Sequence, residues 1–462
     1  MSLFHWIISA LIVYFLFANT VTLVLLLLSF IQIRKLIRSG PMLDSMRRYG
    51  FQFVPPVSLI APAYNEEKSI VHAVQSFLTL DYPRHDVWIV NDGSTDRTLE
   101  ALVESFKLEP VDLFFDDRLT PTPAKLVYQS QIHRNLFVID KPNSGKADSI
   151  NIGIGYSRYD HFASVDSDSI LEPDALLRVI IPFIMESEKT VASGGSIRPV
   201  NSSDVRYGRV THARLPLKLL PLIQVVEYLR AFLFGRVGWS SIDSMLIISG
   251  AFGVFQKEAV IQAGGYQSST VGEDMELVLR LRQHFAEKAE DYRVAFVPDP
   301  ICWTEVPESL NVLSRQRDRW QRGLAESLLA HRKILFNPRY GMAGMLGYPY
   351  FVIVEFMGPL IEMLSYGLMI VGMLFSLLDP ELLVMLLVAD ILYGILLSFI
   401  AVLIDESAFH RYPKIFDLTR LFAASILEHL GYRQLCNLFR LKGMLKLFSG
   451  TKSWGEMKRA GF

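Results

Sequence analysis

The chain has 462 residues, a formal charge of −1 and 51% hydrophobic residues. This neutral balance gives no electrostatic reason to expect a nucleic acid partner, since proteins that follow phosphates carry a marked basic excess. The two cysteines, Cys302 and Cys436, exclude a disulfide scaffold and a cysteine-based zinc site. The mean hydropathy of +0.28 favours a membrane protein, because the apolar residues are clustered.

The first apolar cluster covers residues 4–33. At about 1.5 Å of rise per residue, a helix of this length crosses a hydrocarbon layer of about 30 Å. A cleaved signal peptide is the alternative, but it would need a basic start, and no Lys or Arg precedes the run. Arg34 and Lys35 follow it, so the positive-inside rule places the next part of the chain in the cytosol. We therefore predict a transmembrane helix over residues 1–35.

Residues 55–335 have the pattern of a soluble domain. Short apolar runs predict strands at 57–61, 87–90, 136–139 and 162–165. Helix-compatible stretches lie between them at 66–80 and 146–157. Strands that alternate with helices predict a mostly parallel sheet with helices on its faces. Ligands of such sheets bind at the carboxyl ends of the strands, and the polar clusters of this chain occur there.

A second apolar region, residues 343–404, predicts a pair of transmembrane helices broken near Asp379. Glu355, Glu362 and Asp390 lie inside this region. Intramembrane carboxylates are candidates for a polar path, and helix packing is the alternative, which we leave open for Asp390.

The last segment, residues 405–462, is rich in Lys and Arg. We predict amphipathic helices that lie along the membrane surface. A fourth crossing over residues 412–432 is the alternative. Residues 453–459 fit either a mobile flap over the site or a basic membrane anchor.

The first polar cluster follows two neighbouring predicted strands. Ala61, Tyr64 and Glu66 lie at the end of the first strand, and Asp92 ends the second. Carboxylates in these places suit hydrogen bonds to sugar hydroxyls or to the imide N–H of a base. Ordinary turn chemistry, with Asn65 as a helix cap, is the alternative interpretation.

Two further clusters are suited to phosphate and metal. The turn before Lys146 contains Gly145 and precedes a helix, so its N–H groups and positive charge suit a diphosphate, although the spacing is not that of a Walker A loop. Asp166 and Asp168 follow a strand, and one or two carboxylates with substrate phosphates typically hold Mg²⁺. A plain acidic turn is the alternative there.

The fourth cluster consists of a carboxylate and a basic helix. Asp274 begins a predicted helix, where it would accept a proton from an attacking hydroxyl or simply favour the helix dipole. Residues 315–323 carry several arginines and Trp320. They are suited to a leaving diphosphate and a sugar ring, or form a solvated helix face.

The motifs together resemble the family 2 glycosyltransferases. They are, in chain order, Ala-Tyr-Asn-Glu at 63–66, Asn-Asp-Gly-Ser-Thr-Asp at 91–96, Asp-Ser-Asp at 166–168, Gly-Glu-Asp at 272–274 and Gln-Arg-Asp-Arg-Trp at 316–320. More narrowly, the chain is similar to the membrane-integrated branch with cellulose, hyaluronan, chitin and poly-β-1,6-N-acetylglucosamine synthases. The resemblance covers residues 55–335 in motif detail and the membrane flanks in layout.

The resemblance implies an α/β domain of the GT-A, Rossmann-like fold that uses a UDP-sugar and inverts the anomeric carbon. It also implies the following roles: Ala61, Tyr64 and Glu66 beside the nucleotide, Asp92 near the uracil, Lys146 near the nucleotide or diphosphate, Asp166 and Asp168 on Mg²⁺ or Mn²⁺, Asp274 as general base, Gln316, Arg319 and Trp320 on the pyrophosphate and acceptor end, and Gly250 beneath the acceptor sugar.

These implications define the expected function. We expect a hexose or N-acetylhexosamine to pass from a UDP-sugar to a growing β-linked polysaccharide, and transfer of one sugar to a membrane lipid is the alternative. A catalytically inactive scaffold is disfavoured, because nothing structural would require all of these motifs together. Three crossings are few for a secretion channel, so a small membrane subunit or a homo-oligomer is an expected partner, in the plasma (inner) membrane.

Overall fold

The computed structural model describes residues 3–38, 54–120, 124–206, 208–377, 379–412 and 414–447. The segment 453–459, for which the sequence favours a flap or an anchor, lies outside these residues. The strands of the described chain are β1 (Val57–Ala63), β2 (His85–Asp92), β3 (Leu108–Pro110), β4 (Leu126–Ser130), β5 (Leu136–Lys141), β6 (His161–Val165), β7 (Ile170–Leu171), β8 (Thr190–Pro199), β9 (Asp204–Arg206), β10 (Arg209–His212), β11 (Phe252–Gln256) and β12 (Arg293–Thr304).

The helices flank the strands and extend beyond them at both ends of the chain. They are α1 (Leu3–Arg38), α2 (Ile70–Leu78), α3 (Thr98–Phe106), α4 (Lys146–Tyr156), α5 (Ala175–Val179), α6 (Ile181–Met185), α7 (Leu219–Tyr228), α8 (Arg236–Ser241), α9 (Lys257–Gln262), α10 (Glu273–Lys288), α11 (Leu310–Ala330), α12 (Tyr348–Tyr350), α13 (Gly358–Leu374), α14 (Pro380–Leu387), α15 (Tyr393–Phe409), α16 (Ile415–Leu427) and α17 (Arg433–Leu447). Wider π-helical segments at Leu229–Gly235, Ala343–Gly347, Phe351–Phe356, Val388–Leu392 and Glu428–Tyr432 connect several of them, and short 3₁₀ turns lie at Arg332–Ile334 and Pro338–Tyr340.

A ten-stranded mixed sheet forms the centre of residues 55–335, called the catalytic region below because the five motifs lie in it. Its strand order is β3-β4-β5-β2-β1-β6-β11-β8-β12-β7. β1 pairs in parallel with β2 and with β6, and β2 pairs in parallel with β5. β1 and β2 are buried on both faces, which explains their continuous apolar runs. The predicted α/β fold is confirmed, and the antiparallel strand β11 makes the sheet mixed rather than wholly parallel.

Helices long and apolar enough to cross a membrane lie at both ends of the catalytic region. Leu3–Lys35 and Pro380–Phe409 qualify by themselves, and Ala343–Phe356 with Gly358–Leu374 qualifies only as a pair bent by 44°. The described chain therefore has two candidate spans, or three if the bent pair is one span. The side-chain amide of Asn19 donates to the carbonyl of Ala389 over 2.7 Å, which ties the first span to the last.

The C-terminal helices pack against the catalytic region. α16 has 13 residues, too few to cross about 30 Å of hydrocarbon, and it is not among the candidate spans of the described chain. α17 lies along α11: Lys446 pairs with Asp318, and Arg440 Nε donates to Gln321 Oε1 over 2.7 Å. These two basic side chains contact the helix of the Gln-x-x-Arg-Trp motif, and the location of residues 405–462 at the membrane surface stays a prediction.

Candidate active site

A cavity of about 1580 Å³ opens at the carboxyl ends of the central strands. The predicted site residues that line it are Tyr64, Glu66, Asp92, Lys146, Asp166, Asp168, Gly250, Asp274, Gln316, Arg319 and Trp320. The register explains the convergence, because β1 and β2 run side by side to their ends, with Ala63 opposite Asn91. Ala61 is the exception: it lies inside β1, is wholly buried and takes no part in the cavity wall.

The loops after β1 and β2 hold each other in place. Asn65 has a positive φ of 57°, and its Oδ1 accepts from the backbone N–H of Thr95 over 2.8 Å. Asp96 Oδ1 accepts from the N–H of Thr98 over 3.0 Å. The turn chemistry weighed as an alternative is thus real, although the residue that caps α2 is Ser69 and not Asn65. These turns hold Tyr64 and Glu66 at the cavity.

Asp92 has partners within the chain for both carboxylate oxygens. Oδ1 accepts from the N–H of Ser144 and from Lys141, and Oδ2 accepts from the N–H of Gly145, each backbone bond measuring 2.9 Å. The carboxylate therefore fixes the turn before α4. Gly93 is required beside it, since a Cβ there would lie 2.5 Å from the backbone nitrogen of Asn143.

Lys146 connects the two acidic clusters. Its Nζ lies 2.6 Å from Asp166 Oδ1 and 3.6 Å from Glu273 Oε1. Burial alone would lower the pKa of Lys146, but the charges of Asp166 and Glu273 outweigh it and raise that pKa. Burial also raises the pKa of Glu273. Sequence analysis passed over Glu273, although it stands in the Gly-Glu-Asp motif.

Asp166 and Asp168 follow β6 directly and face the cavity. Two carboxylates one residue apart are oxygen donors of the kind that a hard divalent cation takes together with phosphate oxygens. Within the described ranges no group of three or more His, Cys, Asp or Glu side chains is placed to hold a metal. The donor set therefore fits a cation that draws its other ligands from a bound diphosphate or water.

Asp274 lies in the first turn of α10 and is held in a fixed orientation. Its Oδ2 accepts from the N–H of Gly250 over 3.1 Å, and its Oδ1 accepts from the N–H of Met275 over 2.8 Å. A Cβ on Gly250 would lie 2.8 Å from Lys146 Nζ. A side chain at residue 250 would therefore displace the Lys146 ammonium group from its place beside Gly250.

Helix α11 presents Gln316 and Trp320 to the cavity, one turn apart. Arg317, which sequence analysis did not single out, is buried and donates to Glu227 over 2.6 Å. Its guanidinium carbon lies 4.3 Å from the centre of the Trp320 ring, so Arg317 stacks on the indole and helps to hold it in place. No sequence signal marked this role, because its acidic partner comes 90 residues earlier.

The cavity continues from the catalytic region toward the membrane helices. Its wall there includes Tyr14 and Asn19 of α1 and Glu362 of α13. Glu362 pairs with Arg433 over 2.7 Å. Asp390, a candidate for a polar path, is instead buried outside the cavity wall and accepts from Tyr366. Of the three membrane carboxylates, Glu355 and Glu362 reach the cavity and Asp390 does not.

The comparison with known families agrees with the fold and the site. The model of glycosyl transferase family 2 matches residues 58–257, and that of glycosyl transferase family group 2 matches residues 161–402, more than half of the chain. The chain belongs to the family 2 glycosyltransferases. The GT-A type of α/β fold and an enzymatic transferase function follow from this membership.

Among individual proteins, the chain is similar to polysaccharide synthases. It is 28% identical over 278 residues to the poly-β-1,6-N-acetyl-D-glucosamine synthase of Staphylococcus epidermidis, an alignment that covers 60% of this chain and 57% of that one. With the same synthase of Staphylococcus aureus strain COL it is 29% identical over 276 residues, which cover 59% and 55%. The chain thus spans little more than half the length of the curated relatives it matches.

Solved structures resemble the chain more distantly. A mannosyltransferase of Pyrobaculum calidifontis, in complex with GDP-Man and Mn²⁺, has a TM-score of 0.49 at 15% identity over 92% of this chain and 99% of its own. TarS 1–349 of Staphylococcus aureus, in complex with UDP-GlcNAc, has a TM-score of 0.39 at 15% identity over 82% and 92%.

Proposed function

We propose that this protein is an inverting membrane glycosyltransferase that moves a hexose or N-acetylhexosamine from a UDP-sugar to a growing β-linked polysaccharide. The observation that carries the proposal is the single continuous cavity, which begins at Asp166 and Asp274 and continues to Tyr14 and Glu362 among the membrane helices. An enzyme that extends a polymer needs such a continuation, because each product is the next acceptor and has to move away from the site. The similar polysaccharide synthases support the same reading.

We place the donor at the ends of β1, β2 and β6. Tyr64 and Glu66 would flank the nucleotide, and Asp92 would lie at the floor of that pocket beneath the uracil. We assign Lys146, whose Nζ lies 2.6 Å from Asp166 Oδ1, to the diphosphate. Asp166 and Asp168 would hold Mg²⁺ or Mn²⁺, which when bound supplies positive charge to the leaving UDP.

Asp274 is the proposed general base. Its hydrogen bonds from Gly250 and Met275 keep the carboxylate aimed, so that it takes the proton of the acceptor hydroxyl as that oxygen attacks the anomeric carbon. The new glycosidic bond forms as the bond to the UDP oxygen breaks, with inversion and a β product. The transition state is oxocarbenium-like, as in glycoside hydrolysis. Because UDP leaves with its charge neutralised, one carboxylate base is enough.

Helix α11 would provide the remaining contacts. We assign Arg319 and Gln316 to the pyrophosphate and Trp320 to the acceptor end, where a flat indole covers the face of a sugar ring. Arg317 stacks on that indole and helps to hold it in place. These contacts orient the attacking hydroxyl, which is the main requirement for a displacement between two bound sugars.

We also propose that the chain is a multi-pass protein of the plasma (inner) membrane with the catalytic region in the cytosol. Arg34 and Lys35 at the end of the first apolar helix support this orientation. UDP-sugar, a polysaccharide end and the bilayer are then its partners. A small membrane subunit or a second copy of the chain would add helices around the cavity.

The experiment is UDP release by the membrane-embedded protein, screened with a panel of UDP-sugars and followed by sizing of the product. We expect one sugar to give release and long chains. A single-sugar lipid adduct, formed only when lipid is added, would instead establish a glycolipid transferase. Absence of release with every UDP-sugar would refute both readings.

A further inference from the structure

Arg236 is a buried cation on the cavity wall with no acidic partner. It begins α8 and is 6% exposed, and its Nη1 is buried without a hydrogen bond. Within the described parts of the chain, no residue forms a hydrogen bond or an ion pair with the Arg236 side chain. Its described contact is with Phe232, whose ring centre lies 4.4 Å from the guanidinium carbon.

Other arginines along the same cavity, buried or half-buried, have partners. Arg317 donates to Glu227, Arg230 pairs with Glu428 over 2.6 Å, and Arg433 pairs with Glu362. Arg236 therefore differs from its neighbours. A buried charge without a partner destabilises the folded state, and the ring of Phe232 offsets only part of that. Burial lowers the pKa of Arg236 to about 10, so the group is still charged at neutral pH.

The position of Arg236 is on the acceptor side of the proposed site. Phe232, against which it stacks, meets Trp320 edge-on with ring centres 5.8 Å apart. Asp274, the proposed base, is the acidic group whose charge acts on Arg236. The unpartnered Nη1 of Arg236 belongs to the cavity wall that Asp274 and Trp320 also line.

We propose that Arg236 binds the acceptor sugar, donating hydrogen bonds to an uncharged oxygen, most strongly the carbonyl of an N-acetyl group. This inference rests on the proposed function. A neutral acceptor fits better than an acidic one, because a carboxylate on the sugar would lie beside Asp274 and Glu273. The fork of N–H groups is suited to a carbonyl and a neighbouring hydroxyl at once. Arg236 would then select amino sugars that carry an acetyl group over those with a free ammonium.

The test measures oligosaccharide binding by the full-length protein without donor. The probe is a short β-1,6-linked N-acetylglucosamine oligosaccharide, compared with its de-N-acetylated form. Arg236→Met keeps the volume and removes the donors, Arg236→Lys keeps the charge and loses the fork, and Arg214→Gln is the control, an exposed arginine paired with Asp204. Calorimetry gives the Kd values, and thermal unfolding gives Tm.

We expect Arg236→Met to weaken binding of the acetylated oligosaccharide about tenfold or more and to abolish the preference over the free-amine form. Arg236→Lys should lose an intermediate amount, and Arg214→Gln should match the wild type. The Tm of Arg236→Met should be no lower than that of the wild type, since an unpaired buried charge has been removed. A purely structural arginine would show the opposite Tm change.

Three results would overturn the proposal. The first is an unchanged affinity of Arg236→Met for the oligosaccharide. The second is a loss of UDP affinity in Arg236→Met as large as its loss of oligosaccharide affinity, which would assign the group to the donor. The third is a wild type that binds a uronic acid oligosaccharide more tightly than the acetylated probe. A wild type that binds no oligosaccharide would refute it as well. A wild type that binds the acetylated probe in an Arg236-dependent way but releases no UDP would refute the proposed function and leave this inference standing.

Discussion

Gly272 and Gly323 approach each other closely and hold α10, the helix of the proposed base, against α11, the helix of Trp320. Gly272 caps α10, which carries Asp274, and Gly323 lies inside α11. A Cβ on Gly323 would lie 2.7 Å from Gly272 Cα and 2.9 Å from its nitrogen. Both neighbours are backbone atoms, and carbon atoms pack at about 3.5–4.0 Å, so Gly323→Ala has to move the helices apart by about 1 Å.

The expected effect on activity is much larger than that on stability. Crowding of this kind costs about 1–3 kcal/mol. The higher helix propensity of alanine relative to glycine offsets about 1 kcal/mol of this cost. The free energy of unfolding should therefore fall by about 2 kcal/mol at most. A displacement of about 1 Å between Asp274 and the acceptor site should lower kcat by about 100-fold. UDP release under saturating donor measures kcat, and thermal unfolding measures stability.

Gly367→Ala is the matched control. Gly367 also lies inside a helix, the apolar α13, but an added Cβ there meets no described heavy atom within 4 Å. This variant should keep full activity. If Gly323→Ala retains wild-type kcat, the contact between the two helices does not position the site and the reasoning fails.

Three other predictions concern the base, the cation and a buried acid. Asp274→Asn should abolish transfer and leave UDP affinity largely intact, and loss of UDP binding in this variant would show that the base is misassigned. Excess chelator should stop UDP release and added Mg²⁺ or Mn²⁺ should restore it, whereas undiminished release would contradict the role of Asp166 and Asp168. Burial raises the pKa of Asp86 to about 6, so the folded protein holds that proton more tightly than the unfolded chain and loses stability as the pH rises from about 4 to about 6. Asp86→Asn should therefore raise the free energy of unfolding by about 3 kcal/mol at pH 8 and by little at pH 4, and a gain that is equal at both pH values would contradict it.

The polar clusters at the strand ends could be predicted from the sequence because each is local. A hydrophobic run fixes a buried strand, and the residues that follow it reach the carboxyl edge of the sheet wherever the other strands lie. Asp166, Asp168 and Asp92 were found in this way. The same reasoning failed for Ala61, because the strand continues two residues further than its apolar run suggested and keeps that side chain inside the sheet.

The long apolar runs also predicted the membrane helices, but not their shape. The two long helices could be predicted from length and composition alone, whereas the remaining pair is bent by 44° at Met357, just before Gly358 and Pro359. A proline ring in a helix removes a backbone hydrogen bond and clashes with the preceding turn, which accounts for the bend. Asp390 shows the limit of composition. Its carboxylate accepts a hydrogen bond from Tyr366, 24 residues away, and no pattern in the sequence predicts that partner.

The sequence by itself determined the family, the α/β domain and the order of the chemical motifs, since these depend on short patterns of residue type. Only the tertiary structure decided how the motifs are held. Arg317 reaches Glu227, Arg440 of α17 reaches Gln321, and Arg236 is left with an aromatic ring. The physical reason is that the residue type alone does not tell whether a charged side chain is solvated, paired with an opposite charge or unpaired. Its partner is chosen by packing between segments that the chain separates by 90 residues or more.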